Sequence, residues 1–127
     1  MLVRRLIEAY EEEFNSIIDY TAYWYNGNSP VFESVIDDEC NHARLLATRI
    51  LELGELVPCY WTKPKDEPSR DARTNYKDAF DDEIKAIKMY QSLALMTKSN
   101  DSRTYSFIEG ILADEQRHAE IFKRFLV

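Results

Sequence analysis

Apolar residues recur every three or four positions along four stretches of the chain, each roughly 25 residues long, which is the spacing of one face of an amphipathic helix. The stretches are too long for strands. The pattern therefore predicts an all-α bundle that buries four stripes: Val3, Leu6, Tyr10, Phe14, Ile17, Thr21 and Trp24; Phe32, Val35, Ile36, Leu46, Ile50 and Leu53; Phe80, Ala86, Ile87, Tyr90, Leu93 and Ala94; Ile108, Ile111, Leu112, Ala119, Phe122 and Phe125.

Three breaks separate the stretches. Residues 26–30 and residues 99–102 are short, so each should close an antiparallel helical hairpin. In the first break, Ser29 is the predicted N-cap of the second helix, with Pro30 at its first helical position. Three prolines fall in the longer middle break, which runs from Gly54 to about residue 69.

The middle break is long enough to return along the whole bundle. About 15 extended residues reach about 50 Å, whereas a 25-residue helix is about 37 Å long. We therefore predict one domain over residues 1–127, with a long crossover between helices 2 and 3. Residues 59–61, Cys-Tyr-Trp, are expected to pin this crossover onto the bundle.

Both histidines of the chain occur in the same six-residue phrase. The sequence DECNHA at residues 38–43 recurs as DEQRHA at residues 114–119. Each phrase contains Glu-x-x-His, which on a helix places a carboxylate and an imidazole on one face, one turn apart. Carboxylate oxygen and imidazole nitrogen together suit iron, manganese or zinc.

Four glutamates lie on the apolar stripes rather than on polar faces. A buried carboxylate without a partner costs several kcal/mol. Four of them converging therefore require cations, and two divalent ions would balance their charge. The predicted ligands are Glu13, Glu39, His42, Glu83, Glu115 and His118.

Other carboxylates compete for two of these positions: Glu8, Glu11 and Glu12 with Glu13, and Asp81 and Asp82 with Glu83. Glu8 and Glu12 align with charged residues on a solvated face, so Glu13 fits the stripe better. The alternative is that each Glu-x-x-His pair lies on the protein surface, where the two side chains pair with each other or cap a helix.

Four further residues are candidates for supporting the ligands. Tyr20 and Tyr90 each follow a stripe glutamate by seven residues and could hydrogen-bond a ligand carboxylate; ordinary core tyrosines are the alternative. Asp38 and Asp114 could orient a histidine of the other hairpin by accepting its free N–H, or could be surface residues. Two residues of the phrases lie off the ligand face and are not predicted ligands: Cys40 and Arg117.

The composition of the chain limits the kinds of binding partner that it could have. The net charge of −7 and the pI of about 4.8 argue against nucleic acid and anionic membranes. No apolar run approaches the length of a membrane span, and no signal peptide is recognisable.

The two cysteines form no Cys-x-x-Cys pair, which excludes a rubredoxin-like module and fits a reducing, cytoplasmic location. The aromatic residues 20–25 suit a dimer or core surface.

These residues resemble the ferritin-like di-iron carboxylate superfamily, in its rubrerythrin-like and bacterioferritin-like branch. That family takes one Glu from each of two helices and Glu-x-x-His from each of the other two. The resemblance implies two iron ions, with manganese or zinc as substitutes, and bridging roles for Glu39 and Glu115. It assigns one metal to Glu13 and His42 and the other to Glu83 and His118.

The resemblance also implies redox chemistry: oxidation of ferrous iron by O2 or peroxide, an electron donor of unknown identity, and a homodimer. Two departures from the rubrerythrin pattern matter: rubrerythrins carry an extra glutamate where this chain has Ala86, and the rubredoxin module is absent. The alternatives are a di-iron oxygenase acting on an organic substrate and a non-enzymatic metal-binding bundle.

Overall fold

A computed structural model describes residues 1–59 and 67–127, and these residues form helices with no strands. The helices are α1 (Leu2–Gly27), α2 (Phe32–Glu52), α3 (Ala72–Thr97) and α4 (Ser102–Arg124). The predicted all-α class is confirmed. Within the same residues, no helix has the length and apolarity needed to cross a membrane.

The helices form a square in which α1 packs against α2 and α3, and α4 packs against α3 and α2. Two hydrogen bonds give the direction of α3: Tyr20 reaches Glu83, and Tyr90 reaches Glu13. The later residue of α1 contacts the earlier residue of α3, and the earlier residue of α1 contacts the later residue of α3, so the two helices are antiparallel. Helices α2 and α3 are therefore parallel, and only a connection along the bundle can join them. The predicted long crossover is confirmed.

Among the described residues, the buried apolar side chains form two clusters at opposite ends of the bundle. One is largely aliphatic and includes Leu6, Leu46 and Ile108. The other is largely aromatic, and its Phe32 and Phe122 rings stack with their centroids 5.0 Å apart. Each of these fully buried side chains contributes about 1.5–3 kcal/mol to the free energy of unfolding. The polar residues described below lie between the clusters.

Helix α1 is rotated relative to the sequence prediction. Leu6 is buried as expected, but Tyr10, Phe14 and Ile17 are only partly buried and Thr21 is exposed. The core-facing line of α1 instead contains these buried residues: Leu6, Ala9, Glu13, Tyr20 and Tyr23. The rotation turns Glu13 inward and leaves the expected stripe bordering a groove between α1 and α2.

The prediction for the start of α2 was wrong. The helix begins at Phe32, two residues after the predicted position of Pro30. Asn28 ends α1 in a left-handed conformation with φ of 51°. The Ser29 hydroxyl donates back to the Gly27 carbonyl at 3.2 Å, so it is directed at the preceding helix and does not cap the next one.

Two further expectations concern positions outside the helices. Leu53 and Phe125 follow the last residues of α2 and α4 and are 37% and 45% exposed, so neither is a core residue. Cys59, expected to help pin the crossover, is exposed. Tyr60 and Trp61 lie outside the described residues.

The start of α4 is fixed by an ion pair that crosses the bundle. Asp101 is the N-cap and accepts the Thr104 N–H at 3.0 Å. The Arg49 guanidinium of α2 donates to both Asp101 carboxylate oxygens, at 3.0 and 3.2 Å, and its Nε donates to the Thr104 hydroxyl at 2.8 Å. This contact holds the end of α2 against the beginning of α4.

We predict that Asp101→Ala lowers the free energy of unfolding by about 2 kcal/mol, because the cap is lost together with one of the two carboxylates that pair with Arg49, Glu52 being the other. The matched control is Asp71→Ala, which removes a similar cap from α3, where Asp71 accepts the Thr74 N–H, at an exposed position. Urea denaturation should show the larger loss for Asp101→Ala. Equal losses would contradict a stabilising role for the Arg49 contact.

Candidate metal centre

Six buried glutamate and histidine side chains meet between the two apolar clusters, and none is more than 2% exposed. They form two overlapping groups, in each of which the potential ligand atoms lie within 4.8 Å of one another. The first group is Glu13, Glu39, His42 and Glu115, and the second is Glu39, Glu83, Glu115 and His118. The structure thus brings all six predicted ligands together, with Glu39 and Glu115 shared.

Helix geometry produces two of the contacts between a histidine Nδ1 and a cluster carboxylate, and the packing of the bundle produces four. Within α2, His42 Nδ1 lies 3.2 Å from Glu39 Oε1 one turn earlier, and within α4 the same distance separates His118 Nδ1 from Glu115 Oε1. Across helices, His42 Nδ1 lies 3.4 Å from Glu13 Oε1. Atoms bound about 2.1 Å from one cation lie roughly 3.0 to 3.4 Å apart in octahedral or tetrahedral arrangements. The observed spacing is therefore close to that of ligands around a shared ion.

Each of the six side chains presents one atom without a hydrogen-bond partner. These atoms are Oε1 of Glu13, Glu39, Glu83 and Glu115 and Nδ1 of His42 and His118, and within the described residues they are the buried side-chain nitrogen and oxygen atoms that lack a partner. Buried polar groups are almost always satisfied in folded proteins. Six unsatisfied atoms directed at one region fit a divalent metal site.

Two tyrosines hold the outer oxygens of the ligands on α1 and α3. The Tyr20 hydroxyl donates to Glu83 Oε2 at 2.6 Å, and the Tyr90 hydroxyl donates to Glu13 Oε2. Both tyrosines are fully buried. Each tyrosine therefore reaches the glutamate of the opposite helix, which leaves Oε1 of both glutamates directed at the centre.

Each histidine is held by an aspartate of the other hairpin, one on α2 and one on α4. His42 Nε2 lies 2.7 Å from Asp114 Oδ2, and His118 Nε2 lies 2.8 Å from Asp38 Oδ2. A carboxylate can only accept, so each histidine donates its Nε2–H. The lone pair of Nδ1 is then free to bind a metal.

Arg117 joins these two supports, which sequence reasoning did not anticipate. Its guanidinium donates to Asp114 at 2.9 Å and to Asp38 at 2.7 Å, so a single side chain connects the partners of both histidines. A signal was present in the sequence, because Asp114 and Arg117 are three residues apart on one helix. The equivalent residue of the first phrase is Asn41, so one arginine serves both aspartates.

The electrostatics are those of a crowded acidic cluster. Burial raises the pKa of Glu13, Glu39 and Glu115, that of Glu115 to about 7, and repulsion between the carboxylates adds to the effect. Burial alone would lower the pKa of the histidines, but the surrounding carboxylates raise the pKa of His42 to about 9 and that of His118 to about 10. Without metal, the cluster therefore retains protons.

A four-helix bundle with one long crossover and a buried carboxylate–imidazole cluster defines the ferritin-like class. The family model of the ferritin-like domain matches residues 4–127, so the chain belongs to the ferritin-like family. No match was found among curated proteins.

Solved structures of this class superpose over nearly the whole chain. A ferritin-like di-iron-carboxylate protein of Bacillus anthracis str. Ames is 28% identical with a TM-score of 0.86, over 99% of this chain and 95% of that one. The dodecameric thioferritin of Bacteroides fragilis, a bacterioferritin-related protein, is 25% identical with a TM-score of 0.82, over 98% and 83%. Mycobacterium tuberculosis bacterioferritin BfrA, 21% identical with a TM-score of 0.83 over 98% and 83%, shows the fold alone.

Chelation should lower the melting temperature more at about pH 8 than at about pH 5. In the metal-free protein the pKa of Glu115 is raised from 4.5 to about 7, so its stabilising contribution is complete below pH 4.5 and is lost as the pH rises through 7. The raised pKa values of the histidines, about 9 and about 10, act in the same direction at higher pH. Differential scanning fluorimetry with and without chelator measures this. A shift that is equal or smaller at the higher pH would contradict it.

Asp114→Asn should weaken metal binding about 10- to 100-fold, because the neutral amide holds the imidazole less firmly and lowers its basicity. The control is Asp37→Asn, which neutralises an exposed aspartate beside Asp38. Isothermal titration with Co²⁺ measures both affinities. Similar affinities for the two variants would show that Asp114 does not support His42 in metal binding.

Proposed function

We propose that the chain is a di-iron redox protein that oxidises ferrous iron with O2 or peroxide. The observation that carries the proposal is the set of six unpartnered buried atoms on Glu13, Glu39, His42, Glu83, Glu115 and His118. Four carboxylates balance two divalent ions in charge, and their mixture of oxygen and nitrogen ligands suits iron. The 28% identical Bacillus anthracis structure, which is described as a di-iron-carboxylate protein, supports the same metal.

Each of the two metal ions would be held by its own set of residues. Glu13 and His42 would hold one ion, Glu83 and His118 the other, and Glu39 and Glu115, which belong to both groups, would bridge them. With two iron ions bound, the centre would supply one electron from each ferrous ion, and one peroxide molecule that takes up both electrons and two protons would leave as two water molecules. The hydrogen-bonded tyrosines and aspartates would keep the ligands in position during the change of charge.

The surroundings of the centre favour this activity over an oxygenase. Among the described residues, those that line the cavity reaching the cluster are mainly polar or charged, and the apolar ones are Ala86 and Met89. An organic substrate of low polarity would gain little by entering it. A metal-binding bundle without redox activity is the second alternative, and the rate of Fe²⁺ oxidation distinguishes it from an oxidase.

Anaerobically loaded protein should be oxidised by O2 or peroxide at least tenfold faster than Fe²⁺ in buffer. Near-ultraviolet absorbance in a stopped-flow instrument follows the reaction. Glu13→Ala should abolish the acceleration, whereas Glu8→Ala, at an exposed position on the same helix, should retain it. Fe²⁺ binding without accelerated oxidation would indicate a structural metal site.

The proposal includes a homodimer formed through α1 and α2. Tyr10, Phe14 and Ile17 line a groove of about 270 Å³ between these helices, opposite Ala43 and Ala47. These are the apolar residues that the rotation of α1 leaves outside the core. A second copy of the same surface would cover them, and the dodecameric Bacteroides fragilis relative shows that a bundle of this kind can assemble.

Ile17→Glu should shift the protein toward monomer, because a charge placed in the apolar interface would be buried without a partner. The control is Leu95→Glu, which introduces the same charge on α3, where Leu95 is 79% exposed. Light scattering after size exclusion measures the mass, and circular dichroism checks folding. A monomeric unmodified protein would refute the dimer.

A further inference from the structure

The candidate metal centre consists of two halves, one around each histidine, whose distances are nearly equal. In each half, Nδ1 of the histidine lies 3.2 Å from Oε1 of the glutamate one turn earlier on its own helix. The same atom lies 3.4 Å from Glu13 Oε1 in the half of His42 and 3.5 Å from Glu83 Oε1 in the half of His118. In both halves it lies 3.6 Å from the Glu-x-x-His glutamate of the other hairpin. The six side chains themselves therefore give a metal ion little reason to prefer one half.

Arg117 contacts the supports of the two histidines in different ways. Its Nη2 donates to Asp38 Oδ2 at 2.7 Å, and the same oxygen accepts the His118 Nε2–H at 2.8 Å. Its Nη1 donates to Asp114 Oδ1 at 2.9 Å, whereas His42 donates to the other oxygen of that carboxylate, Oδ2, at 2.7 Å. Within the described residues, His118 therefore shares its acceptor atom with a guanidinium and His42 does not.

The internal repeat contains no second arginine that would restore the balance. The two six-residue phrases differ at two positions, with Cys40 against Gln116 and Asn41 against Arg117. In the part of the chain that the structure describes, Arg117 is the one of these four residues that hydrogen-bonds a supporting aspartate. The difference between the two halves is therefore concentrated in one side chain.

The shared oxygen should make His118 the weaker metal ligand. A carboxylate that accepts the Nε2–H of a histidine raises the basicity of its Nδ1 and strengthens metal binding. An oxygen that also accepts a guanidinium N–H divides its electron density between two charge-assisted bonds. Removing such a carboxylate outright changes metal affinity about 10- to 100-fold, so a change in its strength should have a smaller effect, roughly threefold to tenfold.

On the basis of the metal centre proposed above, we propose that Arg117 is a positioning residue that makes the two metal sites unequal, so that a divalent cation fills the site of His42 before that of His118. Arg117 is not among the predicted ligands, and it acts through the oxygen of Asp38 that it shares with His118. Under the proposed function, the ferrous ion beside His42 would be the first to bind and the last to leave.

The test uses NMR of the metal-free full chain with isotopically labelled histidine rings. Because the chain contains two histidines, each metal site has its own ring signals, which His42→Gln and His118→Gln assign. Titration with Zn²⁺ then follows each Nδ1 signal as it moves to its bound position. At one equivalent of Zn²⁺, the bound fraction of His42 should exceed that of His118 about two- to threefold, as an affinity ratio of roughly threefold to tenfold requires.

Three variants separate the effect of Arg117 from a general change of charge. Arg117→Met removes the guanidinium, whose side chain is 53% exposed, and should make the two bound fractions equal. Asp114→Asn should reverse the order, because it weakens the support of His42. The matched control is Arg124→Met, which removes the same charge from an exposed position in the last turn of α4 and should leave the order unchanged.

Simultaneous filling of the two sites in the unmodified protein, or filling of the His118 site first, would overturn the proposal. So would a preference that Arg117→Met or Asp114→Asn leaves unchanged, a preference that Arg124→Met removes, or a chain that binds no Zn²⁺. Because no oxidant is involved, ordered Zn²⁺ binding without accelerated Fe²⁺ oxidation would refute the proposed function and leave the order of filling intact. Accelerated oxidation with equal filling would do the reverse.

Discussion

Burial of four carboxylates in the middle of the bundle is the constraint on which the rest of the structure depends. Each charged group placed there without compensation would cost several kcal/mol. Three features of the bundle offset this cost: tyrosine hydroxyls on the outer oxygens of Glu13 and Glu83, histidines that Asp38 and Asp114 hold beside the carboxylates, and protons retained through raised pKa values. One atom of each of the six cluster side chains still lacks a hydrogen-bond partner, and the two divalent cations that we propose would bind these atoms.

The two halves of the chain support each other across the centre. Each tyrosine and each aspartate hydrogen-bonds a cluster residue of the other hairpin, so neither hairpin can orient its glutamates and histidine alone. The internal repeat therefore places equivalent supporting residues on opposite sides of one cluster. Arg117 breaks the symmetry, since one guanidinium serves both aspartates.

Local patterns in the sequence were enough to predict the helices, the crossover and the six side chains that meet in the buried cluster. Glu-x-x-His has a fixed meaning on a helix, and a glutamate between apolar residues indicates a buried carboxylate wherever the helix faces the core. The rotation of α1 was not predictable, because Tyr10, Phe14 and Ile17 form a stronger apolar stripe than the buried Ala9 and Tyr20 line. The periodic pattern shows which face of a helix is apolar. It does not show whether that face lies in the core of this chain or on a surface that another chain could cover.

Contacts between distant residues were harder to predict than contacts along one helix. The pairing of Arg117 with Asp38 depends on the spacing of α2 and α4, which no local pattern contains. The same holds for Ser29, a good N-cap by type, whose hydroxyl is taken by the preceding helix.

The most direct test of the central claim is a crystal structure of the protein grown with Fe²⁺ or Co²⁺, with anomalous diffraction measured at the metal edge. We predict two anomalous peaks per chain, about 3.5–4 Å apart, one beside Nδ1 of each histidine. Both peaks should be contacted by Glu39 and Glu115. A single peak, no peak, or metal bound with Glu13 and Glu83 turned away from it would contradict the six-ligand centre.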